Sequence, residues 1–307
     1  MTGITFTLMS PSRNTAPVLV QQLQHMLEPY QKNWLMDTFK FDSHIHIHIS
    51  AQGTIWNFSQ KNQIIESASQ ALLRYLIQVE EKNIVAEIVK MDFGYKDESE
   101  QAKVLTYCRQ LLEQDRTTSS GTLAKTRTNK RDQKTLEEIR SFLMQHQRLN
   151  ITGFLQFRAG DYRNELVEVV ESAVNNYLMD KQYQEFISLL QYFVYIQDAK
   201  IPSAHLMHQG GHQFILLNDQ FKPIETTQLD AWFTIEMLDK EVNFEDMIVS
   251  TLITVAPQRI YIHTREPEAQ IIKTIMQIFE GRFSICDYCR QCMPLLGDRQ
   301  KKDQLFP

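Results

Sequence analysis

Apolar side chains recur along this chain with two different periods, and each period predicts its own kind of element. Val18, Leu19, Leu23, Met26, Leu27 and Tyr30 return every three to four positions, as one face of a helix requires. Ile45, Ile47 and Ile49 instead alternate with polar neighbours through Phe39–Ser50, as a half-buried strand requires. Residues 3–50 therefore read as strand, helix, strand. A strong amphipathic helix follows over Asn62–Val79, through Ile64, Ile65, Ala68, Ala71, Leu72, Tyr75, Leu76 and Val79, and two more helices are expected at 82–92 and 99–114.

The pattern then lapses. Residues 115–134 run through Thr117-Thr118-Ser119-Ser120-Gly121 into Lys125, Arg127, Lys130, Arg131 and Lys134. So little apolar surface cannot offset the entropy of ordering the segment, which predicts a flexible linker. A short helix is expected near 135–146. Two helical patterns come next, Leu166, Val169, Val170, Ala173, Val174, Tyr177, Leu178 and then Tyr183, Phe186, Ile187, Leu190, Phe193, Val194, which read as a helical hairpin.

Residues 203–235 read as extended, with Phe214–Leu217, a turn near Asn218-Asp219 and a second piece ending at Trp232-Phe233. Asn243 is a plausible cap for a helix that Pro257 ends. A strand at Arg259–His263, a helix opened by Glu266-Pro267 and stopped by Gly281, and a strand at Phe283–Ile285 complete the chain. The fold class is thus α/β with helix predominating: an N-terminal strand–helix–strand plus helices, a central helical hairpin, and a C-terminal βαβ unit ending in a Cys-rich tail. The expected regions are 1–114, a polar and basic linker at 115–134, and 135–307.

Composition changes this picture little. The 307 residues are 43% apolar and 22% charged, with a net charge of −5, which argues against a surface wholly given to nucleic acid. No apolar run approaches the roughly 18 residues that span a bilayer. Met1–Phe6 lacks a basic stretch followed by an apolar one, so a cytoplasmic protein is expected.

Cysteine placement changes it more. Three of the four cysteines, Cys286, Cys289 and Cys292, fall within seven residues at spacing i, i+3, i+6, an arrangement in which soft sulfur ligands suit zinc or an iron–sulfur cluster. If 259–263 and 283–286 are parallel strands of one βαβ unit, their carboxyl ends share a sheet edge and His263 lies beside Cys286. Cys286, Cys289, Cys292 and His263 then form a Cys3His set typical of structural zinc. A ferredoxin-type run would put a fourth Cys and a Pro where Leu296 and Gly297 stand. A thioredoxin-type site would need a helix after Cys286-x-x-Cys289, where Pro294 and Gly297 leave none evident. Three uncoordinated thiols remain the bland alternative.

Other candidates are weaker. Cys108 shares a helical face with Val104, Leu105, Leu111 and Leu112 and reads as a small buried hydrophobe. His44, His46 and His48 put three imidazoles on one strand face, most simply a solvated one. His205, His208 and His212 fall in an apparent Gly-containing loop. Arg158, Asp161, Tyr162 and Arg163 precede a long helix and could bind an anion, although a capping Asp161 with surface arginines is simpler. No phosphate loop, nucleophile elbow, paired catalytic carboxylates or HExxH occurs, so an enzyme is not expected.

The second half resembles the YtxC-like sporulation proteins of endospore-forming bacteria. Phe154-Leu155-Gln156-Phe157-Arg158 with Tyr162, the run Tyr183–Val194 with Gln197, Ser250–Ile260 with His263, and the terminal cysteines carry the resemblance. It implies a role in endospore formation and brings no biochemical activity with it. The expected function is a non-enzymatic, cytoplasmic, sporulation-associated protein with a zinc-stabilised tail and an unidentified protein partner. A zinc-stabilised nucleic-acid-binding factor using Lys125–Lys134 is the alternative, and a thiol-dependent redox enzyme the third.

Overall fold

Strand β1 (Gly3–Met9) buries Ile4, Phe6 and Leu8 on one face and turns Thr5 and Thr7 to the other. Its two edges pair with β3 (His44–Ala51) and β4 (Arg148–Asn150), so it is one of the two interior strands of a four-stranded sheet. The computed structural model of the chain describes residues 3–9, 15–53, 55–117, 125–211, 213–224, 244–286 and 288–296. They divide into two units, Met1–Met179 and Asp180–Pro307.

In the first unit the sheet order is β2–β3–β1–β4, with β2 (Trp34–Lys40) and β3 (His44–Ala51) antiparallel and β4 (Arg148–Asn150) parallel to β1. Helices α1 (Thr15–Leu27) and α2 (Phe58–Tyr75) share its core: Leu19, Leu23, Ile47, Ile49, Ile64, Ile65 and Leu72 are fully buried. Each such side chain removed from water contributes about 1.5–3 kcal/mol. A capping box starts α2, with Asn57 Oδ1 accepting from Gln60 N at 2.8 Å and Gln60 Oε1 accepting from Asn57 N at 3.0 Å. Helices α3 (Glu81–Met91), α4 (Glu98–Thr117), α5 (Lys125–Gln145) and α6 (Ile151–Phe157) follow. Buried Glu81 accepts the Tyr162 hydroxyl at 2.8 Å, tying α3 to α7 (Gly160–Ile196).

In the second unit a sheet of order β6–β5–β7–β8 runs through β5 (Ile201–Gly210), β6 (Gln213–Asn218), β7 (Pro257–His263) and β8 (Phe283–Cys286). β5, β7 and β8 are mutually parallel and β6 is antiparallel to β5. One face, with Ala204, Leu206, Ile260 and Ile262, packs on the end of α7, on α8 (Phe244–Val255) and on α9 (Gln270–Ile278). Ile271, Ile272, Ile275 and Ile278 form the apolar stripe of α9, and Gly281 at φ 78° makes the turn into β8 that a side-chain-bearing residue would resist. The other face carries a much smaller cluster in which only Met207, Leu217 and Cys292 are fully enclosed.

The α/β class, the helix predominance and the C-terminal strand–helix–strand are as the sequence leads one to expect. Two details differ. The expected central hairpin is one continuous helix, α7, because no Gly or Pro interrupts Met179-Asp180-Lys181-Gln182. The buried positions Leu166 and Ala173 of its first half and Ile187 and Val194 of its second keep one seven-residue spacing, and the polar run Asp180-Lys181-Gln182 between the two apolar stretches imitates a turn. The single strand expected over Phe39–Ser50 is the β2–β3 hairpin, broken at Phe41-Asp42-Ser43. Of the polar stretch 115–134, residues 125–134 are helical; residues 118–124, and the extended piece expected to end at Trp232-Phe233, lie outside the described residues.

Candidate metal centre

Parallel pairing of β7 with β8 sets the site. Its register runs Ile260 with Phe283, Ile262 with Ile285 and His263 with Cys286, so the last residues of the two strands meet at one sheet edge. The chain leaves β8 at Cys286 and folds back through Cys289 and Cys292 into the short helix α10 (Met293–Leu296), beneath the less populated face of the sheet.

The ligand atoms of His263, Cys286, Cys289 and Cys292 lie within 4.8 Å of one another. Bond lengths of roughly 2.0–2.3 Å put neighbouring ligand atoms of a tetrahedral zinc site at about 3.5–3.8 Å, so a small contraction suffices to close on an ion. Nδ1 of His263 is 3.7 Å from Cys289 Sγ and is the ring atom turned to the sulfurs. Two backbone amides also aim at sulfur, Cys289 N–H at Cys292 Sγ (3.2 Å) and Cys292 N–H at Cys289 Sγ (3.4 Å). Such donors stabilise thiolates, the form in which cysteine binds metal. Arg265 brings Nη2 to 4.0 Å from Cys292 Sγ and lays its guanidinium over the Tyr288 ring at 5.4 Å, a cation beside a centre whose three thiolates outweigh a divalent ion by one charge.

Burial first, and then His205 and Arg265, lower His263 to about 4, which keeps its imidazole neutral and available as a ligand near neutral pH. Burial, followed by its neighbours Cys289 and Cys292, pushes the Cys286 thiol up to about 12. At Cys289 burial also acts upwards, but the Cys292 amide and the adjoining thiols outweigh it and leave Cys289 below its ordinary value. Cys289 thus gives up its proton more readily than Cys286, which resists ionising beside it until a cation is supplied. This group could hold a metal ion.

His205 is the neighbour that sequence reasoning missed. It sits on β5, buried, with Nδ1 3.1 Å from Nε2 of His263. His208 is also on β5 and buried, so the loop expected for these residues is a strand; His212 lies outside the described residues. The alternation Ser203, His205, Met207 was the available signal, obscured by the polar character of its members.

The remaining candidates have local explanations. On β3, His46 and His48 make bonds of 2.9 and 3.0 Å to Thr7 and Thr5 on β1, and His44 stacks on Phe41 at 4.6 Å. His46 is held below its usual value by burial, then by His44 and Arg148. Asp161 pairs with Lys134, Arg163 with Asp92 at 3.0 Å, and Arg158 lies over Phe142 at 5.8 Å, so this corner is a set of ion pairs and ring contacts. In the basic stretch Arg131 is buried against Tyr162, which withdraws it from a nucleic-acid footprint, while Lys134 pairs with Asp161 at the surface. Cys108 is buried in the first unit.

The sequence profile of the YtxC-like family matches residues 66–284, a span that includes His263 and ends just before Cys286. The uncharacterised protein YtxC of Bacillus subtilis strain 168 is 24% identical over 213 residues, covering 69% of this chain and 73% of its own. No solved structure matches the chain. Among the described residues no helix is long and apolar enough to cross a membrane.

Proposed function

The chain belongs to the YtxC-like family, and from that premise we propose that it is a non-enzymatic, cytoplasmic, sporulation-associated protein whose C-terminal unit folds around one zinc ion. The observation that carries the zinc reading is the convergence of one imidazole nitrogen and three sulfurs within 4.8 Å, drawn from two strand ends and a returning tail. Four protein ligands fill a tetrahedral shell and leave no position for substrate, which favours a structural over a catalytic ion. The mixed nitrogen and sulfur donor set suits zinc, and the absence of a fourth cysteine in the run speaks against a ferredoxin-type cluster.

A structural reading also fits the packing. Among the described residues the apolar cluster at the tail has only Met207, Leu217 and Cys292 buried, too small a core to hold a returning chain against its ordering entropy. A bound ion supplies the missing free energy, since metal ligation couples directly to folding. The zinc-closed tail then presents a fixed surface, and the function of the protein lies in what binds there. The sporulation role rests on the family resemblance alone.

Cys289→Ser tests the ion. The expected outcome is loss of zinc stoichiometry together with lower stability of the C-terminal unit, while Cys108→Ser keeps both; full zinc in Cys289→Ser defeats the site. For the cellular role, deletion of the gene in an endospore-forming host should lower the yield of heat-resistant spores, and an undiminished yield contradicts it.

A further inference from the structure

Every ligating histidine has a second nitrogen, and what that nitrogen touches fixes both the tautomer and the angle of the ring. In His263, Nδ1 faces the sulfurs and Nε2 faces His205 Nδ1 at 3.1 Å. A neutral imidazole carries a single ring proton. A metal on Nδ1 leaves that proton on Nε2, so His263 is the donor and His205 must accept. The proton of His205 accordingly resides on its own Nε2.

The position of His205 is built into the sheet. β5 and β7 pair in parallel with His205 beside Tyr261 and Met207 beside His263, which sets His205 one step back on the same face. Its ring packs against Phe221 (centroid 4.1 Å) and Tyr261 (5.0 Å, 16° from parallel) and lies 5.3 Å from the His263 ring. Buried and packed against two rings, the acceptor is restrained from swinging away. His208, three residues farther along β5, makes the contrast: its Nδ1 bonds Thr264 Oγ1 at 2.8 Å and its Nε2 bonds the Gly211 carbonyl at 3.1 Å, so local partners use both nitrogens.

We propose that His205 is the positioning residue of the metal centre, accepting the Nε2–H of His263 and thereby holding His263 Nδ1 towards Cys286, Cys289 and Cys292. This rests on the zinc reading above and adds a residue to it. The commoner partner of a ligating histidine is a carboxylate or a carbonyl. A neutral imidazole suits this pocket better than a carboxylate, because three thiolates and a divalent ion already leave one negative charge, and a second would be buried with it.

The test compares wild-type protein, His205→Ala and His205→Asn by competition for zinc with a calibrated chelator. Asn places Oδ1 near the position of Nδ1 and can accept the same hydrogen bond. His205→Ala should bind zinc about 10–100-fold more weakly, and His205→Asn should recover most of that loss. Equal affinity of His205→Ala and wild type overturns the proposal, as does an equal loss in both variants, which would mark a packing role. Because a variant could fold poorly, the zinc-loaded wild type labelled with 15N-histidine provides a second readout. Its two-bond 1H–15N spectrum should show His263 metallated at Nδ1 and His205 protonated at Nε2 only, and a proton on Nδ1 of His205 overturns the assignment. A wild type that takes up no zinc defeats the metal centre itself, whereas a zinc-binding wild type with an indifferent His205→Ala defeats only the positioning role.

Discussion

Cysteine behaves in two ways in this chain, according to the element that carries it. Cys108 lies on α4 in an apolar core that pushes its thiol up to about 11, whereas the three tail thiols lie together beneath one sheet edge. Alkylation of the chelator-treated native protein at neutral pH should therefore modify Cys289 first, the partly exposed tail thiol held below its ordinary value, and spare Cys108 until the protein is unfolded. Rapid labelling of Cys108, followed by peptide mass spectrometry, would contradict that division. Tyr162 gives a second residue-scale outcome. Burial, and then the adjacent Glu81 carboxylate, raise its phenol well above the ordinary range. An unfolded tyrosine ionises near pH 10 while the folded one resists, so this contribution is intact below about pH 10 and is lost as the pH rises further. Tyr162→Phe should cost about 1–3 kcal/mol at pH 8 and flatten the alkaline loss, as read from denaturant melts at pH 8 and above pH 10. At this scale the sequence discloses the cysteines by their spacing and His263 by its place at a strand end. His205 stays hidden, because 58 positions separate it from His263 and only the β5–β7 register brings them together.

Elements were legible where one period ran uninterrupted between clear stops. The β7–α9–β8 unit is the best case: alternating Ile260 and Ile262, a helical isoleucine stripe, and Gly281 at its end leave little room for another reading. That unit is also what puts His263 opposite Cys286. α7 is the counter-example, since the polar run Asp180-Lys181-Gln182 interrupts its apolar stripe as a turn would, while no Gly or Pro ends the helix there. β5 was legible only coarsely, inside the extended stretch at 203–235 but with a loop expected at His205 and His208, because a strand covered on both faces need not alternate apolar with polar. The tail follows the opposite logic, with few apolar residues and a high dependence on its ligands. Removing the metal should raise amide hydrogen exchange across residues 288–296 and the end of β8 while α9 stays protected. Unchanged exchange in the tail after chelation would mean that packing alone holds it.

At the scale of the whole molecule, two cores carry two different kinds of stability. The first unit is a sheet-and-helix core with extensive apolar burial and, among the described residues, no cluster of metal-binding side chains. The second has a smaller apolar layer on one sheet face and a polar, sulfur-lined layer on the other. Family membership spans parts of both, from residue 66 to residue 284, and stops short of the cysteines, so the metal centre stands on geometry and not on kinship. The account therefore meets its most direct test in the metal content of the full chain, purified without oxygen and without chelating resin. Elemental analysis beside a visible spectrum should find about one zinc per chain and no visible absorption. A protein with no bound metal, or one coloured by iron, would contradict it.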